Sequence, residues 1–237
     1  MDLPQLYAAI DTKDMDRAIQ LARDIVPHFG GIKLGLEFFM RHGQSGIQTV
    51  MSSVETVKPS LFLDLKLHDI PNTVQGALTS VLDLNPDYLT VHALGGAAML
   101  RSCAEVTRDT QTRILGVTVL TSLSQEDVST YSQSSVRDIV LKLTDTVIRS
   151  GCAGVICSPH EVKILRQEYG DDIVLMVPGI RLSQGDHADQ KRVATPAQAL
   201  VDGASHLVIG RAVTSADNPG QAAKALVDSL GHDYKAA

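Results

Sequence analysis

The stretch Leu61-Phe62-Leu63-Asp64-Leu65-Lys66-Leu67-His68 alternates leucine with another residue at every step. Period two is the period of a β-strand, so the leucines share one face and Phe62, Asp64, Lys66 and His68 share the other. The leucine face suits packing against helices. The opposite face, an aromatic followed by charges, suits the interior of a closed sheet, where ionised groups are costly unless they pair or act. A purely structural ion pair is the alternative reading of Asp64 and Lys66.

Seven more short apolar runs, at residues 6–10, 31–34, 88–91, 114–119, 153–156, 173–177 and 207–209, accompany the one at 61–65. Segments of helical period separate them, among them 14–26, 73–84, 96–107, 136–150, 159–167 and 219–230. Strands alternating with helices give parallel βαβ units, and eight such units in 237 residues predict an α/β fold, a (β/α)8 TIM barrel, as a single domain over residues 1–237. A flavodoxin-like or Rossmann sheet fits less well. After the first run the chain reads Ala9-Ile10-Asp11-Thr12-Lys13, with no Gly-x-Gly-x-x-Gly.

Barrel chemistry sits at the C-terminal ends of the strands. The same alternation turns Asp11 inward beyond Tyr7 and Ala9, Lys33 beyond Gly31, and His92 beyond Tyr88 and Thr90. Taken alone, Asp11 reads first as a solvated loop residue; the convergence of four charges on one mouth is what favours a site. At the ends of the seventh and eighth runs stand Pro178-Gly179-Ile180-Arg181 and Gly210-Arg211, where barrels commonly hold phosphate. Glycine lets backbone amides approach an anion, and arginine offers bidentate donors. Exposed arginines that only solubilise loops are the plainer reading. Between these pieces, the polar residues 182–192, with Gly185, read as a lid.

Composition excludes several classes. With 21 Lys+Arg against 27 Asp+Glu, a net charge of −6 and no basic run, the chain lacks the electrostatic footprint of a nucleic-acid binder. No apolar stretch reaches the roughly 18–20 residues a membrane span needs, and no basic segment followed by an apolar one opens the chain. Cys103, Cys152 and Cys157 lie among small apolar residues, as buried thiols do in a reducing compartment, which places the protein in the cytoplasm. The eight histidines show no paired ligand spacing, so no metal is expected, and His68 and His92 read as hydrogen-bonding supports. No flavin, nicotinamide or pyridoxal motif is present, so no cofactor is expected either.

The signature Asp64-x-Lys66-x-x-Asp69, continued by Ile70-Pro71-Asn72-Thr73, resembles the orotidine 5′-monophosphate decarboxylase family. Further matching pieces are Asp11, Gly31-Ile32-Lys33, Thr90-Val91-His92-Ala93, Leu120-Thr121-Ser122, Val177-Pro178-Gly179-Ile180-Arg181 and Ile209-Gly210-Arg211, in that order. The resemblance implies decarboxylation of orotidine 5′-monophosphate to uridine 5′-monophosphate without a cofactor. It implies Lys66 as proton donor, Asp64 beside the substrate carboxylate, Lys33 bridging Asp64 and the ribose, and Asp11 on a ribose hydroxyl. It also implies a homodimer in which Asp69 and Thr73 serve the partner's site. Gln190 would join the lid to the pyrimidine or phosphate, and Thr121 and Ser122 would read the pyrimidine edge; capping of a helix near Ser124 is the other reading of that pair. The alternative within the scaffold is a metal-dependent sugar-phosphate decarboxylase or aldolase. Those relatives are similar to one another in carrying a glutamate ligand where this chain has Lys33. A barrel isomerase sharing only the phosphate grip would not need Lys66, and a non-catalytic phosphate-binding module would not need four buried charges. The short flanks around the first and last elements imply the freestanding, prokaryote-like form.

Overall fold

The computed structural model describes residues 6–180 and 194–230. Eight parallel strands close into one barrel in sequential order: β1 (Leu6–Ile10), β2 (Gly31–Gly35), β3 (Ser60–Leu67), β4 (Tyr88–His92), β5 (Arg113–Val117), β6 (Gly154–Ile156), β7 (Val174–Val177) and β8 (His206–Ile209). Pairing of Leu6 with Leu207 and of Tyr7 with Val208 completes the ring. The predicted barrel and its eight strands are present, with boundaries moved by one or two residues.

Helices α1 (Met15–Ile25), α2 (Leu36–Ser52), α3 (Pro71–Val81), α4 (Gly96–Thr107), α5 (Gln125–Ser129), α6 (Val136–Arg149), α7 (Pro159–Tyr169), α8 (Pro196–Val201), α9 (Arg211–Thr214) and α10 (Pro219–Ser229) surround it. Their starts are written locally. The Asp14 carboxylate accepts from the Arg17 amide at 2.8 Å, and Asn218 does the same for Gln221 at 2.9 Å, each satisfying a first-turn donor. Ser124 and Asp127 form a capping box on α5, so the capping role goes to Ser124 itself and leaves Thr121 and Ser122 outside it. Within α2, Gly43 at φ 60° and ψ −158° interrupts the helical backbone.

Two apolar layers result. Between barrel and helices, Leu61, Leu63 and Leu65 pack with Leu34, Leu78 and Val91. Inside the barrel, Tyr7, Ala9, Phe62, Tyr88, Leu115, Val117, Ile156, Met176 and Val208 fill the bore. The floor is aromatic and polar: the Tyr88 hydroxyl and His206 Nε2 lie 2.8 Å apart, and Tyr7 meets Phe62, Tyr88 and His206 edge-on. Burial, with the Arg113 charge nearby, pulls His206 down to about 4, so it is neutral at pH 7.

Strand β3 departs from strict alternation. Leu63 pairs with Leu89 but Leu67 pairs with Val91, so β3 spends four residues where β4 spends two. Lys66 takes the excess in a left-handed conformation at φ 50°. Beyond this bulge His68 is exposed, not turned into the bore, and stacks on His92 with ring centroids 5.0 Å apart.

Candidate active site

Closing the barrel puts the ends of β1, β2 and β3 side by side, with Ala9 opposite Lys33 and Gly35 opposite Asp64. The charges then form a chain of alternating sign. Lys33 Nζ lies 2.8 Å from Asp11 Oδ1 and 3.5 Å from Asp64 Oδ2, and Lys66 Nζ lies 2.7 Å from the same Asp64 oxygen. The other Asp64 oxygen accepts from the Thr90 hydroxyl at 2.9 Å. Gly35 makes the room: a Cβ there would stand 3.1 Å from Lys33 Nζ.

Lys33 and Asp64 are each only 8% exposed, so their charge states rest on one another. Burial alone would pull the Lys33 ammonium down, but Asp64 and then Asp11 outweigh it and hold it above the ordinary lysine range. Burial would likewise push the Asp64 carboxyl up, yet Lys33 and Lys66, with the Lys66 and Thr90 hydrogen bonds, hold it below the ordinary carboxylate range. Both groups are therefore ionised at pH 7. His92 is half-buried; burial and the neighbouring His68 and Lys66 lower it, and its buried Nδ1 has no hydrogen-bond partner among the described residues.

These charges open into a cavity of about 690 Å³. Phe62, Val117, Ile156 and Val208 give it an apolar floor, and Asp11, Lys33, Asp64, Lys66, Thr121, Pro178, Gly210 and Arg211 all line it. Gly179 lines it too, at φ 84°, a conformation that excludes most other residues. Among the described residues a Cβ at Gly210 would meet only Ala9 Cβ, at 3.9 Å, so the space beside it is open to the cavity.

Other expected residues stand apart. Ser122 is exposed. Asp69 and Thr73 are exposed at the start of α3, outside the charge chain, and the Asp69 carboxylate accepts from the Ile70 amide at 2.6 Å. Arg181, Gln190 and residues 182–192 lie outside the described residues. Sequence reading missed Arg17, Thr214 and Ser215, which line the cavity, and Thr90, whose hydroxyl holds Asp64. Arg17 carried one signal, its place in the first turn of the helix that follows Asp11; its Nη2 donates to the Thr214 carbonyl at 2.9 Å. Thr90 carried its inward position on β4 and its place in the matching piece Thr90-Val91-His92-Ala93, neither of which points to Asp64.

The sequence profile of the orotidine 5′-phosphate decarboxylase / HUMPS family matches residues 4–226. The chain belongs to that family. It is 44% identical over 226 residues to the orotidine 5′-phosphate decarboxylase of Thermobifida fusca, covering 95% of each chain. The orotidine 5′-phosphate decarboxylase of the Wolbachia of Brugia malayi is 42% identical over 227 residues, 95% of this chain and 98% of that one. The crystal structure of orotidine 5′-phosphate decarboxylase from Lactobacillus acidophilus superposes with a TM-score of 0.82 at 32% identity, covering 97% of this chain and all of that one. Within this orotidine 5′-phosphate decarboxylase / HUMPS family member, no three His, Cys, Asp or Glu side chains among the described residues come together as metal ligands would.

Proposed function

We propose that this protein decarboxylates orotidine 5′-monophosphate to uridine 5′-monophosphate and CO2. The observation that carries this reading is the ion-paired chain Asp11–Lys33–Asp64–Lys66, buried at Lys33 and Asp64, in a cavity that also takes Gly210 and Arg211 into its wall. A nucleotide fits this division: charge chemistry at the ends of β1–β3, phosphate at the ends of β7 and β8.

The substrate carboxylate lies against Asp64. The bond from C6 to the carboxylate carbon breaks, its electron pair stays on C6, and CO2 leaves. The Lys66 ammonium, already paired with Asp64, stabilises that pair as it develops and then gives C6 a proton, which solvent returns to the amine. Lys33 holds Asp64 ionised and reaches the ribose with Asp11. An ammonium fixed between two carboxylates is a poor neighbour for a divalent cation, and this argues against the metal-dependent sugar-phosphate reading.

The protein acts as a homodimer in the cytoplasm, with Asp69 and Thr73 reaching the partner's site. Support for the dimer comes from Leu36, Ile70 and Leu94, which follow the neighbouring strands β2, β3 and β4 and are 44%, 66% and 58% exposed. None of the helices among the described residues is long and apolar enough to cross a membrane.

Arg211→Ala tests the phosphate grip. Loss of charge-assisted bonds to phosphate raises KM for orotidine 5′-monophosphate by about 10–100-fold and changes kcat less, as steady-state kinetics would read. An unchanged KM would remove Arg211 from the phosphate site.

A further inference from the structure

We propose that Thr90 is the positioning residue for the proton donor, its single hydroxyl closing a ring of hydrogen bonds that begins and ends on Lys66. The proposal rests on the decarboxylase reading of the site. It gives a role to a residue outside the Asp64-x-Lys66-x-x-Asp69 signature.

The ring can be followed atom by atom. The β3 bulge places Lys66 at φ 50° and takes its amide out of the regular ladder with β4. That N–H donates to Thr90 Oγ1 at 2.9 Å. Having accepted there, the hydroxyl sends its own proton to Asp64 Oδ1 at 2.9 Å, and Asp64 Oδ2 accepts from Lys66 Nζ at 2.7 Å. One buried side chain therefore fixes both the backbone from which the ammonium springs and the carboxylate that receives it. Thr90 is wholly buried on the facing strand, so no water substitutes freely for it. An aliphatic side chain of the same shape can neither accept from the amide nor donate to the carboxylate, whereas serine can do both.

Position matters here because a proton crosses a short distance in one direction. A donor displaced by a fraction of an ångström loses much of its effect on the transition state. Asp64 is faced by Lys33 from β2 and by Lys66 from its own strand; Asp11, beyond β1, acts through Lys33, and His92 on β4 lies near Lys66. Thr90 supplies the neutral donor of the set, and it favours the ionised carboxylate.

The test compares Thr90→Val with Thr90→Ser, following kcat, KM and the pH dependence of kcat on orotidine 5′-monophosphate. Thr90→Val lowers kcat by about 10–100-fold, leaves KM within about threefold, and moves the acid limb of kcat to higher pH. Thr90→Ser restores kcat to within a few-fold and returns the acid limb. Should Thr90→Val fail to fold, Thr90→Ala takes its place in the same comparison. Wild-type kcat and pH profile in the valine or alanine variant would overturn the proposal, as would a serine variant no better than either. Wild-type protein without turnover would instead overturn the decarboxylase reading, and this proposal with it.

Discussion

Lys66→Ala is expected to lower kcat by roughly 10⁴-fold or more. Two contributions leave together: a positioned general acid, worth about 10²–10⁴-fold, and a preorganised charge beside the developing electron pair, worth about 10²–10³-fold. The two overlap, so their product is an upper bound. The variant keeps its fold, because Lys66 is a third exposed and Asp64 retains Lys33 as partner. Single-turnover ultraviolet absorbance on folded variant reads the loss directly. Activity within tenfold of wild type would remove Lys66 as proton donor.

Asp64→Ala is the second large effect, and it reaches stability as well as turnover. The substitution leaves the buried Lys33 ammonium with Asp11 alone, and removing one member of a buried charge set costs about 3 kcal/mol. For a chain of this size that is a fall in Tm of about 6–12 °C at pH 7. The pH dependence follows from the two shifts. Asp64 is held below its unfolded value, so its contribution is present above about pH 4 and is lost as pH falls through the depressed folded value. Lys33 is held above its unfolded value, so its contribution is present below about pH 10 and is lost as pH rises through the raised folded value. Wild type and variant therefore differ most between those limits and converge at strongly acid pH. Thermal unfolding from pH 3 to 10 reads this, and equal Tm values at pH 7 would show that Asp64 does not hold Lys33.

What the sequence made legible follows from what burial costs. Asp64 and Lys66 stand out because a strand of alternating leucines has no packing use for charge, and Lys33 and Asp11 stand out only by registering with them on neighbouring strands. The barrel was legible for a similar reason, since eight apolar runs separated by helical periods leave little else to build. The bulge at Lys66 was not, because it depends on a two-residue mismatch between β3 and β4 that neither strand shows alone. Thr90 was legible as an inward residue but not as a ligand of Asp64: threonine in a strand reads first as β-propensity, and only the bulge brings the Lys66 amide to it. Thr214 reaches the cavity from a helix, where a polar residue carries no distinguishing signal, and Arg17 had only its place in the first turn after Asp11 to mark it.

The reaction proposed is metal-free decarboxylation of a phosphate-anchored substrate. Protein treated with EDTA, mixed with orotidine 5′-monophosphate and followed by ultraviolet absorbance, is expected to yield uridine 5′-monophosphate rapidly, with orotidine lacking the phosphate turned over far more slowly. Remote phosphate contacts then lower the chemical barrier as well as binding the substrate. No turnover after EDTA, with activity on a sugar phosphate once Mg²⁺ is restored, would contradict the claim and assign the charge chain to metal-dependent chemistry.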